Sequence, residues 1–360
     1  MSDRLFVATR KGLFEFRRQG AGSWVVARTS FLGSPVSMML PDPRDGALYA
    51  ALDLGHFGVK LHRSEDGGGS WAEIAAPSYT GVDAEAEDPP SLKLIWVIET
   101  GGPDEPGVLW AGTIPGGLFR SEDRGQSWAL NRPLWDDPLR QQWFGGGYDK
   151  PGIHSISVDP RDSRRVVVGV SCGGVWETRD AGASWRVGGN GLFSVYMPPE
   201  QAGNPAIQDV HRVVRCPAAP DSLWVQHHNG VFRATDGIDA WQHITPSTGD
   251  FGFAAAVHPQ KPDTAWFVPA VKDEYRYPAD GRLVVARTTD GGASFDALVE
   301  GLPQADCYDL IYRHGLDVDE GGERLAMGST TGGLWFSEDG GDRWTQSPAR
   351  LPPIYAVRFG

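Results

Sequence analysis

His154 and His211 stand 57 residues apart in a chain of 360, and a His227-His228 pair follows soon after the second of them. Neutral imidazole is the common transition-metal ligand and also the side chain whose charge changes nearest neutral pH. His154, His211 and His228, with His227 as the alternate third member, would therefore suit one divalent metal ion. General acid–base work would fall to His154, His211, Tyr275 or Asp209. A polar ligand beside them would find Lys11, His56, Lys93, Trp143, Tyr148, His228 and Arg276 as further contacts. Three roles stay open for the histidines. Each imidazole caps a strand or bonds a backbone group, or the trio holds a metal, or it binds an anion or moves protons without one, with Lys11, Lys93, Tyr275 and Arg276 as charge partners. The cysteines Cys172, Cys216 and Cys307 lie too far apart for a zinc motif and give no disulfide framework.

The spacing of the two histidines equals that of a repeat that must position them. A turn ending in an aromatic recurs as Ser64-Glu65-Asp66-Gly67-Gly68-Gly69-Ser70-Trp71, Ser121 to Trp128, Thr178 to Trp185, Thr288 to Phe295 and Ser337 to Trp344. Two decayed copies end at Trp24 and Trp241. The second of these has Ala234 for the hydroxyl residue and Ile238 for glycine, and the first has Arg17, Gln19 and Ala21 at its polar and glycine positions. The terminal aromatics at 24, 71, 128, 185, 241, 295 and 344 are separated by 47, 57, 57, 56, 54 and 49 residues. A period of this length with short strands marks a propeller or array. Each period carries apolar runs such as Val108 to Gly112 and Gly117 to Arg120, bounded by Gly, Pro, Asp and Ser, and no amphipathic helix stands out.

Four strands per period predict an all-β fold, a seven-bladed propeller of four-stranded blades. The segment from Arg4 to Arg10 reads as the second strand of its blade, so blade one lacks an inner strand. Residues 353–359 have the pattern of an inner strand with no blade after them and are expected to complete it, removing two exposed edges. In each turn the Asp accepts backbone N–H bonds, the Gly takes the left-handed conformation and the aromatic buries a large area. Asp66, Asp123, Asp180, Asp290 and Asp339 are thus expected to be structural.

These turns make the chain resemble the Asp-box, or BNR, repeat proteins, whose signature is Ser/Thr-x-Asp-x-Gly-x-x-Trp/Phe. Five copies match it fully and the resemblance covers the whole chain. It extends to bacterial single-propeller proteins of the sialidase-like or glycosyl-hydrolase-like group, and more distantly to sortilin-type receptors and xyloglucanases. Sialidases of this resemblance use six blades, an early Arg-x-Pro motif and a Tyr-Glu nucleophile pair. Here seven blades are expected, and Arg215-Cys216-Pro217, Arg276-Tyr277-Pro278 and Arg350-Leu351-Pro352 lie far from the N-terminus. The resemblance therefore implies a glycan-directed hydrolase or lyase rather than a sialidase of the usual kind. Xyloglucanases pair two propellers around a cleft with two catalytic aspartates, and only one propeller is read here. Its alternative is a non-catalytic propeller used for protein interaction or assembly.

A net charge of −13 repels phosphate backbones, so nucleic acid is excluded as an expected partner. No apolar stretch approaches the ~18 residues of a membrane helix, and Met1-Ser2-Asp3-Arg4 leads directly into a strand, which reads as cytoplasmic with no secretory signal. A single domain over 1–360 is expected, with insertions at about 76–92, 131–152, 188–208 and 270–281. Long loops in compact domains usually serve function, and all four fall on the face opposite the Asp turns. The second is rich in Trp, Tyr, Gln and Gly. Carboxylates near that face are Asp53, Asp209, Asp273, Glu274 and Asp309, and a hydrolase would need two of them. A lyase would use His or Tyr as base with a cation for a uronate carboxylate. The expected function is binding, with or without cleavage, of a small polar or saccharide ligand in a His-lined pocket at the loop-rich end of the channel.

Overall fold

The computed structural model describes residues 1–20 and 22–360. Ala21, in the first decayed turn, lies outside the described residues. The chain folds into seven four-stranded antiparallel sheets, a seven-bladed β-propeller. Blade one takes its inner strand from the other end of the chain: Ile354–Phe359 pairs with Arg4–Thr9, which pairs with Gly12–Gly20 and then Ser23–Ser30. Val7 faces Val357 and Ala8 faces Ala356 in that closing ladder. No helix among the described residues is long and apolar enough to cross a membrane.

Contacts within the chain fall into two compact units. Residues 37–189 with 204–210 form one, whose core gathers Trp110, Ile153, Val166, Val168 and Trp176 with strand residues of neighbouring sheets. Residues 1–36, 190–203 and 211–360 form the other, where Trp266, Trp335 and Trp344 share one cluster and Trp24, Phe16 and Phe336 another.

Four of the five intact turns share one full hydrogen-bond pattern, and the fifth, with Arg343 in place of the last Ser, keeps all but its hydroxyl bond. In the first, Ser64 Oγ donates to Asp66 Oδ1 (2.8 Å) and accepts from the Gly68 amide (2.7 Å). The Ser70 amide and hydroxyl then donate to the two oxygens of Asp66, each at 2.8 Å. The same bonds tie Ser121, Asp123, Gly125 and Ser127 together, and Thr178, Asp180, Gly182 and Ser184. Gly68, Gly125, Gly182, Gly292 and Gly341 all have φ between 80 and 97°, the left-handed region that a side chain resists. In the four turns that end Ser-Trp or Ser-Phe both carboxylate oxygens are thus engaged within the turn. The aromatics that end the turns are unequal: Trp24, Trp241 and Trp344 are buried as expected, whereas Trp71, Trp128, Trp185 and Phe295 are only half-buried. The fully buried indoles are instead Trp110, Trp176, Trp224, Trp266 and Trp335, which the strands carry at their centres where both faces of a blade are covered.

These turns make the fold acid-sensitive in a defined window. The Ser294 hydroxyl and then its amide push Asp290 down to about 2. Asp66, Asp123 and Asp180 are likewise held below the usual carboxylate range, Asp66 first by the Ser70 amide, the others first by the hydroxyls of Ser127 and Ser184. A depressed folded-state value stabilises fully above the unfolded aspartate value of about 3.9 and is lost as pH falls through the folded one. The melting temperature is therefore expected to drop between about pH 4 and pH 2. The double variant Asp180→Asn, Asp290→Asn should flatten that drop, and an unchanged slope would count against the assignment.

Candidate functional site

A cavity of about 300 Å³ opens between the 76–92 and 131–152 segments, lined by Asp83, Asp88, Lys93, Trp135, Arg140, Gln141, Trp143 and Lys150 among others. The second segment holds its shape through two short capped turns. Asn131 accepts from the Leu134 amide (3.1 Å) to start a helical turn over Arg132–Trp135, and Asp137 accepts from the Leu139 amide (2.8 Å) to start a 3-10 turn over Pro138–Gln142. Asn131 also accepts from Trp185 Nε1 (2.8 Å) and donates to the Gly182 carbonyl (2.9 Å), so the loop is clasped to the Asp180 turn. Tyr79 fixes the first segment, its hydroxyl 2.6 Å from Thr113 Oγ1 and 2.7 Å from the Pro115 carbonyl. Burial pushes that phenol well above its ordinary value.

The cavity wall mixes aromatic and charged groups. The Arg140 guanidinium lies 3.4 Å over the Trp135 ring and 5.5 Å from that of Trp143, and burial pulls it below its ordinary value. Trp135 Nε1 donates to Asp83 Oδ2 (3.0 Å), and Lys150 Nζ meets Asp88 Oδ2 at 2.5 Å. That contact holds Asp88 below the usual carboxylate range. Trp143 is 7% exposed, and its Nε1 has no protein acceptor among the described residues.

A second group forms where the strand Val210–Cys216 begins. Asp209 and His211 are two residues apart and so project to one side of the strand. His211 Nδ1 is 2.6 Å from the Gly252 carbonyl. A carbonyl only accepts, so the neutral ring carries its proton on Nδ1 and its lone pair on Nε2. The His211 ring stacks on Phe253 (4.5 Å, 17°) and meets His228 edge-on at 5.6 Å. Phe251 and Tyr196 pack edge-on against His228 at 5.5 and 5.0 Å.

His154, expected beside His211, is held by neighbours in its own unit. It is fully buried, with Nδ1 3.0 Å from Ser155 Oγ and Nε2 2.8 Å from the Val210 carbonyl. Both nitrogens are thus engaged by Ser155 and the Val210 carbonyl. Equal repeat phase sets backbone position, but the side-chain rotamer decides which neighbour is met. His227 accepts from the Asn229 amide at 3.0 Å and so closes its hairpin turn.

The other expected contacts are dispersed. Lys93 and Trp143 line the cavity, while Tyr148 packs edge-on against Trp96, which does the same to His154. Arg276 pairs with Asp273 at 2.9 Å and lies 5.5 Å over the Phe253 ring that supports His211. Tyr275 is 49% exposed, with Lys272 Nζ 5.0 Å over its ring. His56 sits in an exposed 3-10 turn against Phe57, and Lys11 is an exposed turn residue whose carbonyl accepts from Gly33. Residues missed at the sequence level are Arg140 and Lys150 at the cavity and Tyr196, Phe251 and Phe253 around the histidines, whereas Trp135 and Gln141 belong to the aromatic-rich 131–152 segment read as a binding wall. The Asp209-x-His211 and Phe251-x-Phe253 alternations were the available signals, since each puts two side chains on one strand face.

No family model matches the chain. The oligoxyloglucan-reducing end-specific xyloglucanase of Emericella nidulans is 27% identical over 273 residues, 70% of this chain and 32% of that protein. A xyloglucanase of Paenibacillus sp is 26% identical over 290 residues, 68% of this chain and 26% of it. The chain thus spans 32% and 26% of the length of the curated relatives it matches. Among solved structures, the GH74 xyloglucanase from Xanthomonas campestris has a TM-score of 0.63 at 18% identity, covering 100% of this chain and 52% of that one. That structural likeness is one of fold.

Proposed function

We propose that this chain recognises an oligosaccharide in the cavity between the 76–92 and 131–152 segments and belongs functionally with glycan-directed hydrolases of the propeller type. The observation that carries this reading is the lining itself. Saccharide sites combine aromatic surface with a few placed donors and acceptors in a concave wall. Here Trp135 and Trp143 supply the first, and Lys93, Arg140, Gln141 and Lys150 supply donors opposite the carboxylates of Asp83 and Asp88. The Trp143 indole N–H adds a buried donor that a sugar hydroxyl can satisfy. The xyloglucanase relatives support the ligand class, and the Asp-box character of the repeat agrees with a propeller whose turns are structural and whose loops carry the site.

Titration calorimetry with xyloglucan oligosaccharides should show binding by the wild-type protein. Trp143→Phe keeps an aromatic ring but removes the N–H donor and part of the ring area, and should weaken binding about tenfold, the equivalent of ~1.4 kcal/mol. Lys93→Ala should weaken it as well, while His56→Ala should not. Binding of the same strength in Trp143→Phe would move the ligand elsewhere. Absence of binding to any glycan tested, with retention of a protein partner, would favour the scaffold alternative.

A further inference from the structure

We propose that the cavity between the 76–92 and 131–152 segments takes an acidic saccharide, with a uronate carboxylate seated on the Arg140 guanidinium and Lys93 as its second cation. This rests on the saccharide reading above and names the class of sugar. Every lining residue belongs to the one compact unit of residues 37–189 and 204–210.

The Arg140 guanidinium lies 3.4 Å over the Trp135 ring and 5.5 Å from that of Trp143. Its Nε donates to the Gly116 carbonyl at 3.4 Å, a long bond, and neither Nη has a protein acceptor among the described residues. A guanidinium carries its N–H donors outward in its own plane. A ring beneath it therefore leaves those donors for another partner.

The neighbouring carboxylates are engaged elsewhere. Asp83 accepts from Trp135 Nε1 at 3.0 Å, Asp136 pairs with Arg132 at 2.8 Å, and Asp88 pairs with Lys150. Asp83 and Asp136 attract Arg140 without reaching ion-pair distance. Lys93 is exposed, and its ammonium has no ion pair among the described residues. Two cations thus line the cavity without a carboxylate of their own, in a chain whose net charge is −13.

Burial pulls Arg140 below its ordinary value, yet a guanidinium stays charged at neutral pH. Its charge is partly stripped of water before any ligand arrives, and a ligand carboxylate offsets that loss. The planar fork matches a planar carboxylate through two parallel hydrogen bonds, and Lys93 adds a point charge. The unpaired Trp143 N–H is then left for a hydroxyl of the same sugar.

The test titrates the full chain by calorimetry with cellotriose and with its C6-oxidised counterpart, in which every glucose is a glucuronate, so register along the trisaccharide does not matter. The acidic form should bind about tenfold more tightly or better, the discrimination that a charge-assisted hydrogen bond gives. A chain of this net charge would otherwise repel it. Raising the salt from about 0.01 M to about 0.15 M should narrow the gap. Arg140→Gln should bring the ratio of the two affinities close to one, and Arg140→Lys, which keeps the charge but not the fork, should leave it in between. Lys93→Gln, an exposed change that spares the fold, should narrow the ratio by itself, and His56→Ala should keep it. Binding of neither trisaccharide would overturn this assignment and the saccharide reading together. Equal binding of both by the wild-type protein would overturn the carboxylate assignment alone. So would a preference that survives Arg140→Gln in protein of unchanged melting temperature, or one that Lys93→Gln leaves untouched.

Discussion

Removal of residues 353–360 is expected to leave no stable folded monomer. The strand Ile354–Phe359 buries Ile354, Ala356 and Val357 at 1, 0 and 0% exposure and packs them with Leu5, Val7 and Leu334. Burying one such branched side chain contributes about 1.5–3 kcal/mol. The closing ladder and the bonds from the Val357 amide to the His314 carbonyl (2.8 Å) and from the Arg10 amide to the Pro353 carbonyl (2.9 Å) would be lost with it. Total stabilities of folded domains are only about 5–15 kcal/mol, so this one deletion removes a large fraction. It also uncovers the backbone of Arg4–Thr9, a buried strand with a row of N–H and C=O groups that would pair with other chains. Light scattering should show aggregates. A truncated protein that remains monomeric with an unchanged melting temperature would refute the closure.

Trp176→Ala should cost about 3–5 kcal/mol, the range for truncating a fully buried aromatic. Trp176 is 0% exposed, donates from Nε1 to the Gly173 carbonyl at 2.7 Å and packs edge-on against Trp143 at 5.5 Å. Its loss leaves a void behind a wall of the cavity. Trp143 is then free to sink inward, and saccharide affinity should fall together with stability. Trp128→Ala provides the comparison. That ring is half-buried and donates to the Ala75 carbonyl at 2.9 Å, so its removal should cost clearly less in denaturant titration. Equal losses in the two variants would mean that the turn aromatics carry more of the core than their exposure indicates.

The repeat made the fold legible because each blade solves the same packing problem with the same turn. Asp66, Asp123 and Asp180 need identical hydrogen bonds, so the residues that make them recur in step with the strands. Blade closure was legible for the same reason, as a strand pattern without a blade. The site was legible only in part. His154, His211, His228 and Asp209 were all named as candidates from residue type, phase and face, and equal phase says nothing of which partner each imidazole finds. Which way an imidazole turns depends on local partners such as Ser155 and the Val210 carbonyl, and no periodicity encodes these. The cavity was harder still. Its wall comes from two loops whose meeting depends on single bonds such as Trp135 to Asp83, between residues 52 apart in the chain.

The pairing of the first and last strands also fixes how the molecule answers a pulling force. Leu5 faces Phe359 at the end of the ladder where both chain ends emerge, and Thr9 faces Ile354 at the far end. Tension applied between the two ends therefore opens the ladder like a zipper, one hydrogen bond at a time from Leu5–Phe359 inward, rather than shearing all of them together. The same strand that closes the ring against heat and denaturant is its weakest element against traction, and anything that tethers this chain by both ends loads it there first.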